Sequence, residues 1–167
     1  MRTRLLPATL YDLETLCSLM RQSDRDEIEF NAKATGRYYR DWSIRREMID
    51  QFPKFPHWAM LHDGDLLAIC GIAPMPCGLG AIWLLGTDLM DVHWRETTRL
   101  ARQFIAATRS DYLAVGNVVP AHMTDRIRWL KHLGFDISQT KADRPFSRHV
   151  AFWSQPANGP EGWQRLQ

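Results

Sequence analysis

Several kinds of sequence feature are missing from this chain, and each absence narrows what it can be. No apolar run approaches the roughly 18 residues needed to cross a bilayer, so no membrane span is expected. The opening MRTRLLPATLYDL has no apolar core of the kind that makes a secretory leader, and none is expected. Cysteine is scarce: Cys17, Cys70 and Cys77 make an odd count with no C-x-x-C pair. That argues against a disulfide framework and for free thiols in a reducing compartment. His93, His122 and His132 do not fall at metal-ligand spacing, so no metal is expected. No G-x-S-x-G elbow or Cys–His signature of nucleophilic catalysis is visible. The formal net charge of +2 is too small to argue for nucleic acid. Repeats and low-complexity blocks are absent. One further absence is local: residues 88–104, DLMDVHWRETTRLARQF, contain no glycine.

What is present is the make-up of one ordinary domain. A chain of 167 residues with 45% hydrophobic content can bury a core without a disulfide or a metal. The seven tryptophans bring large apolar bodies that belong mostly in that core. Residues 2–6 read as a first strand. Thr9 with Asp12 forms an approximate capping box, and Leu13, Leu16, Cys17 and Met20 follow at helical spacing. Ser23 with Asp26 repeats the cap signal, and Thr35-Gly36 ends that second unit. A helix resumes over 38–52 until Pro53 and Pro56 stop it. Two apolar runs around Asp63-Gly64 predict a hairpin, and Pro74, Pro76, Gly78 and Gly80 break the stretch after it. AIWLL (81–85) and YLAVGN (112–117) read as buried strands with a helix over 94–109 between them. Asn117 is expected to close its strand. The next helix should pack through Met123, Ile127, Leu130 and Gly134, and FSRHVAFW (146–153) predicts a last strand. Residues 1–154 then form a single domain and 155–167 a Pro/Gly-punctuated arm. Helices between buried strands predict an α/β layer fold, and the hairpin makes its sheet mixed.

The order of elements, with the DGD hairpin, the strand AIWLLGTD, the strand VGN and the helix ending WLKHLGF, resembles the GCN5-related N-acetyltransferase (GNAT) fold over nearly the whole chain. The resemblance implies an α/β, GNAT-like mixed central β-sheet flanked by helices. More narrowly, DEIEFNAKATG (26–36), WLLGTD (83–88) and VGN…RIRWLKHLG resemble the internal virion protein A family of short-tailed phages, GNAT-like proteins with no assigned catalysis. That resemblance implies a virion structural protein, assembled in the bacterial host cytoplasm, whose partners are other virion proteins or copies of itself. The alternative it leaves is an active, acyl-CoA-dependent N-acetyltransferase. A third reading is a small-ligand or peptide-binding module between splayed strands.

The GNAT pattern implies specific chemistry, and two parts of it are missing. The family cradles the cofactor pyrophosphate in a Q/R-x-x-G-x-G/A loop, where glycines let backbone N–H groups approach phosphate at a helix N-terminus. The matching segment here is the glycine-free one, and it sets Asp88, Asp91 and Glu96 near the helix start. Many members also carry a Tyr four residues before the glycine of the final Gly-Phe, placed to protonate the departing thiolate. Gly134 is that glycine, so Leu130 stands at the donor position. The expectation is therefore a catalytically degenerate frame without a cofactor. If the chain is active, acetyl-CoA is the cofactor and Asn117, Arg95 and Arg99 are the residues to hold it. Asp88 is then the first candidate base, with Glu29 and Asp26 next.

Arg95, Arg99, Arg102 and Arg109 fall at i, i+4, i+7 and i+14, on one helix face opposite Leu100 and Phe104. Arg126, Arg128 and Lys131 add charge to the later helix. Such a stripe is either solvated or docks on an acidic protein surface, where guanidinium groups pair with carboxylates. Packaged DNA comes after these because the net charge is modest. Trp163, in the polar tail, is expected to anchor on its own domain or on a neighbouring protein.

Overall fold

A computed structural model describes residues 3–38, 42–141 and 149–154. The strands are β1 (Thr3–Pro7), β2 (His57–His62), β3 (Asp65–Met75), β4 (Leu79–Gly86), β5 (Ala114–Pro120), β6 (Asp136–Lys141) and β7 (His149–Ser154). The helices are α1 (Leu10–Leu19), α2 (Gln22–Ala34), α3 (Ile44–Gln51), α4 (Leu89–Val92), α5 (Trp94–Thr108) and α6 (Thr124–His132). The strands form one sheet in the order β1-β2-β3-β4-β5-β7-β6. Neighbours run antiparallel except β4 and β5, which are parallel and joined by the α5 crossover.

The sheet buries both faces. On one, Phe104 and Leu100 of α5 and Leu130 of α6 pack on Met60, Leu67, Cys70, Val119 and Phe152. On the other, Leu13 and Leu16 of α1 pack on Ala59, Leu66, Ile69 and Leu85, with Ile44 and Met48 of α3 beside them. Leu13 and Leu16 are fully buried, and each contributes about 1.5–3 kcal/mol by leaving water.

Local chemistry sets most element ends. Thr9 and Asp12 form the reciprocal capping box: the Thr9 N–H donates to Asp12 Oδ2 at 2.8 Å and the Asp12 N–H to Thr9 Oγ1 at 3.2 Å. Asp63 (φ 51°) and Gly64 (φ 102°) make a two-residue hairpin turn in the left-handed region, as Asp-Gly permits. Other ends differ from the sequence reading. The N-cap of α2 is Arg21 and not Ser23, because the Arg21 N–H is already held by the Gly86 carbonyl at 3.0 Å. Ser43 caps α3, accepting from the Arg46 N–H at 3.2 Å, so that helix starts later than residue 38. Between β3 and β4 the chain turns within Pro76–Gly78, and Pro74 and Gly80 lie inside paired strand. Asn117 does not close β5: pairing with β7 carries the strand on through Pro120. The short α4 and the edge strand β6 carry no clear sequence signal. Residues 146–148 of the last predicted strand lie outside the described residues, as do the 155–167 arm and Trp163.

Candidate active site

The site grows from the one parallel pair. β4 and β5 pair at three positions only, Leu79↔Ala114, Gly80↔Val115 and Ala81↔Gly116. Beyond them β5 stays with β7 and β4 stays with β3, so a wedge opens between the two strands. Backbone groups alternate sides along a strand, which identifies those facing the wedge. The Ile82 carbonyl accepts from Asn117 Nδ2 at 3.0 Å, so the even-numbered residues of β4 point that way. At the far end Gly86 does the same: its N–H donates to Asp24 Oδ2 at 2.6 Å and its carbonyl accepts from Arg21. Leu84, midway, has no such partner among the described residues. An unpaired N–H and C=O on an inner strand is uncommon in a folded protein, and here both groups face the open wedge.

A cavity of about 430 Å³ fills the wedge. Ile28, Ile44, Met48, Phe55, His57 and Trp83 line it toward α2 and α3, and Ala101, Phe104, Trp129 and Leu130 toward α5 and α6. A second cleft, of about 550 Å³, lies at the N-terminal ends of α5 and α6 and is lined by Asp91, Trp94, Thr97 and Thr124. Arg21, Arg126 and Trp129 line both spaces and so mark where they adjoin. The N–H groups of Trp94, Arg95 and Glu96 begin α5 without an acceptor among the described residues. Trp94 leaves the cleft open: it is 54% exposed, and the Arg95 guanidinium lies 5.3 Å from its ring centre.

A charge cluster holds the junction of the two spaces. Asp24 is fully buried and accepts from Arg21 Nε at 2.9 Å, from Arg126 and from the Gly86 N–H. Arg126 also pairs with Glu27, and Arg21 Nη1 with Asp91 Oδ1 at 2.7 Å. Burial lowers the Arg126 pKa, while the Asp24 carboxylate opposes that shift. The two guanidinium groups are therefore fixed at the mouth of the wedge with their charge largely balanced from behind.

His57 opens β2 on the other side of the cavity. Its ring stacks with Phe52 (centroids 4.8 Å apart) and Phe55 (4.6 Å) and tilts against Trp83 (5.2 Å). Gly71 permits this: it lies between His57 and Trp83 in register, and a Cβ there would meet the Trp83 ring at 3.2 Å. Burial lowers the His57 pKa, partly offset by a hydrogen bond to the Phe55 backbone. The imidazole is thus neutral at physiological pH and can accept a proton. Cys70 also lines the cavity, but burial pushes its thiol far above the usual range, so it is no nucleophile.

Neither a protein-family model nor a curated protein matches the chain. Solved structures do. A spermidine N-acetyltransferase from Vibrio cholerae, in complex with CoA and spermine, matches at TM-score 0.68 and 6% identity, over 92% of this chain and 95% of that one. Aminoglycoside acetyltransferase AAC(6')-Ib in complex with coenzyme A matches at TM-score 0.67 and 13% identity, over 92% and 95%. The GNAT domain of S. lividans PAT matches at TM-score 0.59 and 14% identity, over 92% and 90%. The chain has the GNAT fold.

Within that GNAT frame the residues singled out in the sequence are scattered. Asn117 lines the cavity and ties β5 to β4. Asp88 is exposed at the start of α4 and lines neither space, and Glu29 sits on α2 with Lys33 at 3.7 Å. Asp26 accepts from Gln22 Nε2 at 2.8 Å. Of the arginine stripe, Arg99 bonds to Thr3 of β1 and Arg102 to the His132 carbonyl at 2.9 Å, while Arg95 lies on Trp94. Arg109 follows α5 in a half-buried turn. Leu130 is buried, with no donor to offer. Arg126, read from sequence as one more surface charge, is only 15% exposed in its side chain. Sequence reasoning missed Arg21, Asp24 and His57. The spacing of Arg21 and Asp24 resembles an ordinary helix start, and His57 sits unmarked between Phe55-Pro56 and Trp58.

Proposed function

We propose that the chain is an acyl-CoA-dependent N-acyltransferase. The observation that carries this is the open edge of β4 at Leu84, between a partner at Ile82 and another at Gly86. An extended ligand containing amides pairs with such an edge as an added strand. Next to it lies the phosphate-binding chemistry that the glycine-free segment lacked in sequence. The start of α5, where Trp94 lines the cleft, supplies helix N–H donors, and Arg21 and Arg126 add guanidinium N–H donors whose charge Asp24, Glu27 and Asp91 already balance. Asp91, which looked repulsive toward a pyrophosphate, is turned onto Arg21, a guanidinium it shares with Asp24. These residues fit a pyrophosphate joined to an amide-bearing arm.

When bound, acyl-CoA supplies an activated thioester. The chain's residues then position the acceptor amine in the aromatic end of the cavity. As the amine nitrogen takes the place of sulfur on the acyl carbon that acyl-CoA would supply, His57 would accept the proton that nitrogen sheds. No residue of the chain need act as the acid, because a thiol is acidic enough that its anion would leave unaided and take its proton from solvent. Leu130 at the usual donor position is compatible with that route.

Isothermal titration of acetyl-CoA into the purified chain tests the reading. Micromolar binding is expected, and no heat at millimolar acetyl-CoA would rule it out. A second reading, a virion protein built on the same frame and meeting other virion proteins through the arginine face, is supported by the sequence segments at 26–36, 83–88, 115–117 and 126–134. Mass spectrometry of purified phage particles tests it, and absence of the chain would end it.

A further inference from the structure

The acceptor end of the cavity names a class of amine. We propose, on the acyltransfer reading above, that this site takes a small amine with an aromatic or apolar body and a single positive charge, and discriminates against polycations.

The lining supplies the argument. Toward α2 and α3 the wall is Ile28, Ile44, Met48, Phe55 and Trp83, with His57 stacked among the aromatics. Such a wall gains by covering apolar surface and returns little to a hydrated, multiply charged chain. The carboxylates decide the charge. Among the described lining residues they are Glu27 and Glu47, and both are engaged. Glu27 pairs with Arg126. Glu47 pairs with Arg37 and accepts from Trp42 Nε1 at 2.7 Å. Three lining arginines, Arg21, Arg37 and Arg126, face these two acids, and the additional buried Asp24 is already held by two of the three. Asp91 of the adjoining cleft is held too, by Arg21, so among the described residues each of these carboxylates already has a guanidinium partner and none stands free for a second or third ammonium group; a buried ammonium without its own counter-charge is strongly disfavoured.

One ammonium can be accommodated. The Trp83 ring offers a π face, which attracts a cation most strongly where water is excluded. The ammonium sheds its first proton to solvent before nitrogen can attack, and the His57 ring, 5.2 Å from the Trp83 ring centre to centre, is placed to take the second as the C–N bond forms. The fold similarity therefore does not transfer the polyamine chemistry of the Vibrio cholerae neighbour, whose structure holds spermine.

The test uses the full chain and two independent readouts. The first is binding of phenethylamine, tryptamine, spermidine and kanamycin by calorimetry without an acyl donor. The second is release of free CoA thiol from acetyl-CoA with each amine. The aryl amines are expected to bind at least tenfold more tightly than spermidine or kanamycin and to give the faster thiol release. Trp83→Leu should weaken aryl-amine binding tenfold or more while Trp83→Phe keeps most of it, with thermal melts confirming that both variants fold. Equal or tighter binding of spermidine or kanamycin overturns the proposal, as does aryl-amine binding unaffected by Trp83→Leu. The two levels separate cleanly. Acetyl-CoA binding with the reverse amine preference leaves the acyltransferase reading intact and removes this one. Aryl-amine binding without acetyl-CoA binding keeps the amine pocket and removes the transfer reaction.

Discussion

At the scale of single residues, Asp24 and His57 carry the most consequence. Asp24 is a fully buried carboxylate satisfied by two guanidinium groups and one backbone N–H. Replacing it with Asn leaves Arg21 and Arg126 short of a counter-charge beside each other, and breaking a buried pair in this way costs about 3–5 kcal/mol. Urea denaturation of Asp24→Asn should show that loss; a loss below about 1 kcal/mol would mean that solvent satisfies the arginines. His57 makes stability depend on pH. Its folded pKa is depressed by burial, so its contribution is present above the unfolded value of about 6.5 and is lost as pH falls through the folded value. The melting temperature of the native protein should fall on acidification from pH 7 to 5, and His57→Phe should flatten that slope. As the base in the proposed reaction, the same residue should add a further decline below about pH 6.5 to the slope set by the amine's own ionisation, and the His57→Phe variant's residual rate should lack that added decline.

At the scale of elements, Gly116 shows how closely β5 and β7 approach. A Cβ there would meet the Phe152 carbonyl oxygen at 2.3 Å, backbone against backbone. Gly116→Ala should therefore cost about 1–3 kcal/mol and raise amide exchange along β7 more than along β2, which does not touch it. Elements whose cause is local were legible in the sequence. Thr9 with Asp12 gives a cap, Asp63-Gly64 gives a turn, and the apolar runs on either side give strands. Elements whose cause is distant were not. Arg21 caps α2 because of Gly86, 65 residues on, and β5 outruns Asn117 because β7 returns beside it. The candidate site belongs almost wholly to this second kind. Its arginines, its buried acid and its imidazole come from α2, α6 and β2, and only the sheet register brings Trp83 over Gly71 to His57. The missing glycines and tyrosine were read correctly as residues. On the proposed function their weight falls, because helix N–H groups and nearby guanidinium groups offer comparable donors.

At the scale of the whole molecule, a ligand that bridges both spaces touches α2, β4, α5 and α6 together and should stabilise the fold as a unit. Acetyl-CoA at about 100 times its dissociation constant adds about 2.7 kcal/mol, which for a domain of this size is roughly 5–11 °C in melting temperature. CoA alone should give most of that shift if the arginines and helix N–H groups supply the affinity. The wedge also contains its own reporter. Along β4, Ile82 and Gly86 are tied on the wedge side, and the odd-numbered residues are tied to β3, which leaves the Leu84 backbone proton with no holder among the described residues. The Leu84 amide should therefore exchange with deuterium quickly amid slow neighbours, and an acyl donor should silence it, giving a single-residue record of occupancy without any turnover.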